Sequence, residues 1–252
     1  MFPTLFISHG APNTILKAGE TKKNLRSFAS TLDKPKYIVV ISSHWVSSCI
    51  EMIYPKTNTL MYDFYGFEKE LYEFTYDIAS DEATSKHLLN RLEALNIQVN
   101  PLRQSFDHGV WTALSMMYET LDIPVIQLSL PAYFSAQEYF EFGEALKVLK
   151  DEALLVFSGS ITHNLYDIDP TNSHTPKYAT LFNEQIKEAL EMGEYKKILE
   201  YEKLPYFKKN HHTSEHFTPL LIALGASQNQ KATSFNSEFV YGNISMESYS
   251  FQ

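Results

Sequence analysis

Cysteine is nearly absent from this 252-residue chain. Cys49 is the only one, which excludes an internal disulfide and fits a reducing cytoplasm. Positive charge is also scarce: Lys and Arg number 21 against 30 Asp and Glu, a formal net charge of −9. That balance argues against nucleic acid or an anionic membrane surface as the main partner. No apolar run approaches the roughly 18 residues that a membrane span requires. The first apolar stretch has no basic region before it and is broken early by Ser8-His9-Gly10, so no signal peptide is expected. Phosphate-loop, nucleophile-elbow and CxxC patterns are missing, which leaves those mechanisms without support. The expectation is a soluble cytoplasmic protein, and an apolar content of 44% can fill a real core.

What is present reads as alternating strand and helix. Short runs rich in Ile, Val, Leu and Phe at 4–7, 37–42, 97–100, 123–130 and 153–158 each end in polar or turn-forming residues, the pattern of buried strands. Segment 50–54 reads as a further short strand near a sheet edge, and the tail 238–251 as one or two more. Helical patterns fall near 20–32, 66–75, 81–95, 110–121, 135–150, 176–192 and 214–224. Asp81 and Ser214 are the cap candidates of the third and the last of these. The polar stretches 166–176 and 202–213 read as loops too short to separate domains. The expected fold class is therefore α/β: a single domain, 1–252, with a central mostly parallel sheet flanked by helices. In such sheets, sites form beyond the carboxyl ends of the strands.

Five of the nine histidines sit where an apolar run breaks into a small polar turn: His9, His44, His108, His163 and His216. Imidazole is a neutral nitrogen ligand and a proton carrier near pH 7, so histidines that converge point to metal or acid–base chemistry. These five are scattered along the chain, and only a fold can gather them. His9, His44 and His163 follow expected strands directly. His108 lies by the start of a helix, next to Asp107. Glu215 and His216 open an apolar helix, where adjacent side chains point about 100° apart, so one of the pair is expected to turn inward rather than both. Each histidine taken alone also reads as a turn residue satisfied by a backbone hydrogen bond. His87 reads as a surface residue of an amphipathic helix, and His174, His211 and His212 as solvated loop residues. The aromatic segment Asp63-Phe64-Tyr65-Gly66-Phe67, followed by Leu71-Tyr72-Phe74, reads either as a ring-binding wall or lid, or as ordinary core.

Taken together and in order, SHGAP at 8–12, SSHW at 42–45, DFYGFEKELY at 63–72, DHGVW at 107–111, GSITHNL at 159–165 and EHFTPLL at 215–221 resemble the class III extradiol ring-cleavage dioxygenases, in particular their 4,5-DOPA dioxygenase-like branch. The resemblance covers nearly the whole chain. It implies metal ligation by His9, His44 and His216, with Glu215 as a rival for the third position, since relatives outside this branch use two histidines and a glutamate. It implies an acid–base role for His163 and places His108 at the substrate and oxygen pocket. Ile161 stands where relatives often carry glycine. The implied chemistry is Fe(II)-dependent opening of a catechol ring with O2. Zinc is the alternative bound metal, and a zinc-dependent hydrolase of a small amide or ester on the same scaffold is the alternative function.

Overall fold

The computed structural model describes residues 1–16 and 19–252. The strands are β1 (Thr4–Ser8), β2 (Tyr37–Ser47), β3 (Glu51–Ile53), β4 (Asn100–Leu102), β5 (Val125–Pro131), β6 (Ala153–Gly159), β7 (Ala232–Asn236), β8 (Phe239–Val240), β9 (Ile244–Ser245) and β10 (Ser248–Phe251). The α-helices are α1 (Glu20–Ala29), α2 (Lys69–Glu73), α3 (Glu82–Ala94), α4 (His108–Met117), α5 (Ala136–Leu146), α6 (Lys177–Met192), α7 (Tyr195–Leu199), α8 (Phe207–Asn210) and α9 (Pro219–Gly225).

One eight-stranded sheet, in the order β4-β3-β5-β2-β6-β1-β10-β7, organises the chain. Its centre, β5-β2-β6-β1, is parallel throughout. Antiparallel pairs flank that centre, β3 with β5 on one side and β10 with β1 and β7 on the other. Side chains alternate along each central strand and so feed two separate cores. Phe6, Val39, Ile41, Leu155 and Phe157 pack on one face with apolar residues of α3, α5, α6 and α9. Leu5, Ile7, Ile38, Val40, Leu154 and Val156 pack on the other with those of α1 and α4. This is the α/β layering expected of strands buried on both faces. No helix among the described residues is long and apolar enough to cross a membrane.

Several boundaries differ from the sequence reading. β2 runs on to Ser47 rather than stopping at 42, with a register shift against β5 between Ile41 and Val46 that places His44 in the irregular stretch. β4 begins at Asn100, after Ile97 closes α3 by donating its N–H to the Leu92 carbonyl. The helix expected over 66–75 shrinks to α2, because Gly66 adopts φ +81° and breaks the helical path before it. The last expected helix starts only at Pro219, a residue suited to a first helical position. Ser214 is accordingly not its cap; its carbonyl accepts from Phe217 and Thr218 in the preceding turns. Asp81 does cap α3, accepting from the Thr84 N–H at 2.9 Å. The tail holds three strands, and β7 ahead of it has no counterpart in the sequence reading.

Candidate active site

The carboxyl ends of β1 and β6 and the irregular stretch of β2 open onto one cavity of about 320 Å³. All five turn histidines line it. His9 follows β1 directly, and its backbone N–H bonds the Gly159 carbonyl at 3.2 Å. His108 is the first residue of α4, whose cap is Asp107, accepting from the Val110 N–H at 3.2 Å. His216 reaches the cavity because its carbonyl accepts from Ser160 N at 2.8 Å, which ties the 214–218 turn to the end of β6. Gly159 makes that approach possible: a Cβ there would lie 2.3 Å from the His216 carbonyl oxygen. At Gly109 a Cβ would meet the Ser42 hydroxyl at 2.2 Å, so that side chain would have to swing aside.

Three imidazoles meet edge to edge. His44 Nε2 lies 3.0 Å from His9 Nε2 and 3.3 Å from His216 Nε2. Metal–nitrogen bonds near ~2.1 Å put two ligand nitrogens about 3.0 Å apart at an octahedral angle and about 3.4 Å apart at a tetrahedral one, so both separations match a shared ion. Proton bookkeeping points the same way. Ser158 Oγ donates to the Gly109 carbonyl at 2.6 Å, so it must accept from His9 Nδ1 at 2.8 Å. His9 Nε2 is then a bare lone pair. Glu215 Oε1 stands 3.3 Å from His216 Nδ1, which leaves the His216 Nε2 bare as well. His44 Nε2 can offer at most one proton to these two neighbours, so at least one of the two bare nitrogens is left without a donor at this contact unless a cation lies between them. Burial and the neighbouring histidines hold His9, His44 and His216 well below the usual imidazole range, so none of the three brings a competing proton. The donor set fits a divalent metal.

His108 also lies close. With His9 and His44 it forms a candidate metal group in its own right, whose ligand atoms all lie within 4.8 Å of one another. Its ring centroid is 3.7 Å from that of His44. Its Nδ1 bonds Asp63 Oδ1 at 2.9 Å. His163 stacks flat on His216, with centroids 3.7 Å apart and planes 10° apart. Burial first, then the neighbouring His108 imidazole, pushes its pKa down to about 4, so the ring is neutral near pH 7. Glu215 sits on the far side of His216 from His44: its Oε1 is taken by His216 Nδ1 and by the Thr213 hydroxyl. It therefore buttresses His216 rather than joining the converging nitrogens.

The rest of the wall is apolar. Phe64 and Phe67 line it with Pro12, Leu165, Ile168 and Ile244, and Phe64 meets His108 edge to face at 5.5 Å. Of the two readings of segment 63–67, the wall holds for Phe64 and Phe67, while Tyr65 points to solvent. His174 and His212 are exposed as expected, and His87 stands partly in solvent against Glu152. His211 is not solvated: it is 3% exposed, donates from Nε2 to the Ile161 carbonyl at 2.8 Å and packs against Phe207. The segment 202–213 is not a plain loop: it contains α8 and packs against the turn after β6, where the Asn210 carbonyl accepts from the His163 N–H at 3.2 Å. Sequence reasoning also missed Ser158, Asp63 and Tyr241. A serine at a buried position of the otherwise apolar β6 was the available signal for the first. The acidic residue opening the aromatic segment was the signal for the second.

Residues 3–252 match the family described as the catalytic LigB subunit of aromatic ring-opening dioxygenase. The chain belongs to that family. It is an extradiol ring-cleaving dioxygenase, of the class III type, in a metal-dependent family, and the hydrolase alternative falls away. Among its relatives, the protein named 4,5-DOPA dioxygenase extradiol from Beta vulgaris is 36% identical over 98% of this chain and 96% of its own length. A protein of the same name from Escherichia coli K12 is 32% identical over 97% of this chain and 92% of its own. The crystal structure of an uncharacterized Escherichia coli K12 protein superposes on the whole of both chains with a TM-score of 0.82 at 30% identity.

Proposed function

We propose that this protein opens the ring of a catechol-type substrate such as DOPA with O2, using Fe(II) held by His9, His44 and His216, and that residues 1–252 act as one catalytic domain. The observation that carries the reading is the trio of Nε2 atoms 3.0 and 3.3 Å apart around His44, with protons directed away from the contact at His9 and His216. A set of neutral imidazoles leaves positions open on the ion, and Fe(II) there would supply a redox-active Lewis acid for a chelating catechol and O2.

The remaining work falls to side chains of the cavity. Phe64 and Phe67 face the substrate ring and keep bulk water from it. His163, neutral near pH 7, takes the proton of a ring hydroxyl and later returns it to the ring-opened product. His108 lies against His44, with ring centroids 3.7 Å apart, at the start of α4, where developing negative charge on oxygen is favoured by the helix N-terminus. The relatives named for DOPA support a catechol substrate of that kind. Zinc ranks above iron in intrinsic affinity for such a site, so the protein is expected to carry zinc when iron is not supplied. A cytoplasmic location goes with this reading, because the exposed Cys49 and Fe(II) both persist in a reducing compartment.

The test is oxygen uptake by protein reconstituted anaerobically with Fe(II), over a panel of catechols including DOPA, with zinc-loaded protein as control. Iron-dependent uptake with a yellow ring-opened product is expected. Absence of uptake with every catechol, despite stoichiometric Fe(II), would overturn the reading.

A further inference from the structure

Asp63 stands beside two of the site histidines and belongs to neither the ligand set nor the acid–base residues. Its Oδ1 accepts two hydrogen bonds from one residue: the backbone N–H of His108 at 3.1 Å and the ring Nδ1–H of His108 at 2.9 Å. Its Oδ2 faces His44 Nδ1 at 3.9 Å, too far for a hydrogen bond but within electrostatic reach. The carboxylate is itself well anchored. Leu60 bridges Phe106, Met61 donates its N–H to the Phe106 carbonyl at 2.7 Å, and Trp111 Nε1 donates to the Met61 carbonyl at 3.0 Å. This strap holds residues 60–64 across the start of α4, and its next residue, Phe64, is cavity wall.

We propose that Asp63 is a positioning residue for the ring-opening reaction: it fixes the tautomer and the rotation of His108 and so decides which nitrogen that imidazole presents to the cavity. A carboxylate offers only acceptors, so the bonded Nδ1 carries the proton and Nε2 is left as a bare lone pair. Two bonds from one oxygen, one to the backbone and one to the ring, set the ring against its own main chain. Without Asp63 the imidazole is free to change tautomer and turn about its side-chain bonds. Asp63 also satisfies the first N–H of α4, but the cap proper is Asp107, which accepts from Val110, so the bond to the His108 ring is the part not explained by capping. The inference rests on the catechol-dioxygenase reading for its kinetic consequence and not for its tautomeric one.

The test uses Asp63→Ala, Asp63→Asn, His108→Ala and the Asp63→Ala/His108→Ala double variant. In Fe(II)-loaded protein, Asp63→Ala should hold metal within about twofold of the parent and shift KM less than about threefold. Its kcat should fall about 10- to 100-fold, the usual effect of removing the partner that orients a site histidine. Asp63→Asn keeps an acceptor oxygen in place and should recover most of that loss. The double variant should be no slower than His108→Ala alone, because the two residues act as one unit. Independently of turnover, nitrogen NMR of 15N-histidine-labelled, zinc-loaded protein should show one Nδ1–H imidazole that is missing in His108→Ala and altered in Asp63→Ala. Losses that multiply in the double variant, Asp63→Ala retaining more than half of kcat, or His108 protonated at Nε2 in the parent would each overturn the proposal. If the parent opened no catechol, the function reading would fail, and the NMR result would still decide the role of Asp63.

Discussion

Replacing Gly159 with alanine should loosen the metal site without touching a ligand. Gly159 ends β6, and its added Cβ would lie 2.3 Å from the His216 carbonyl oxygen and 3.3 Å from Phe6 Cε2. The strand cannot easily retreat, because Gly159 is in register with Ser8 and its carbonyl holds the His9 N–H. The 214–218 turn must therefore move outward by about 1 Å to reach ordinary contact, and the Ser160–His216 hydrogen bond lengthens with it. His216 Nε2 now stands 3.3 Å from His44 Nε2, close to the separation of two ligands at a tetrahedral angle, so a shift of this size takes it out of that arrangement. A weakening of metal binding by about 10- to 100-fold follows, roughly 1.4–2.8 kcal/mol, along with about 1–3 kcal/mol of lost stability from overpacking. Competition between metal-free protein and a chromogenic chelator for zinc measures the first, and urea unfolding of the metal-free protein the second. Gly19→Ala, whose Cβ would meet only Glu238 Oε2 at 3.9 Å, serves as control and should leave affinity unchanged. Parental zinc affinity in Gly159→Ala would refute the claim that this close approach sets the third ligand.

His163→Ala should keep its full metal content while turnover falls about 10²- to 10⁴-fold, the range for losing a general acid–base group; near-normal oxygen uptake would remove His163 from that role. Metal analysis after gel filtration should find His216→Ala depleted and His108→Ala loaded, and the reverse pattern would assign the third position to His108. The buried His211, whose pKa burial pushes down to about 3 from 6.5, takes up protons more readily in the unfolded chain. Its contribution to stability is complete above about pH 6.5 and is lost as pH falls toward 3, with about 2 kcal/mol gone by pH 5. In metal-free protein His211→Gln, which can still donate to the Ile161 carbonyl, should therefore show a flatter dependence of urea-unfolding free energy on pH between 6.5 and 4; superimposable slopes would contradict this.

Much of this protein is local, and to that extent its sequence alone determined it. Apolar runs short enough to be strands and separated by helical periodicity dictate an α/β sheet buried on both faces, and of the central strands β1, β5 and β6 end within a residue of the expected place while β2 runs five residues further. The glycines and serines that follow β1 and β6 also signal that side chains are exposed there. For that reason His9 and His163 are legible as site candidates from their immediate neighbours in the chain, and the ordered motifs around all five histidines carry the family resemblance. What lay beyond reach was everything set by contact between distant segments. The extension of β2 past Ile41 depends on its pairing with β5. The burial of His211 depends on the Ile161 carbonyl and Phe207 arriving from other elements. The placing of His216 depends on its carbonyl meeting the Ser160 N–H at the end of β6. Most of all, the protonation of the site was decided by tertiary partners: Ser158 for His9, 149 residues away, and Asp63 for His108, 45 residues away. A spacing pattern can say that imidazoles gather, but which nitrogen of each bears the proton is settled by the acceptor that the fold brings to its other side.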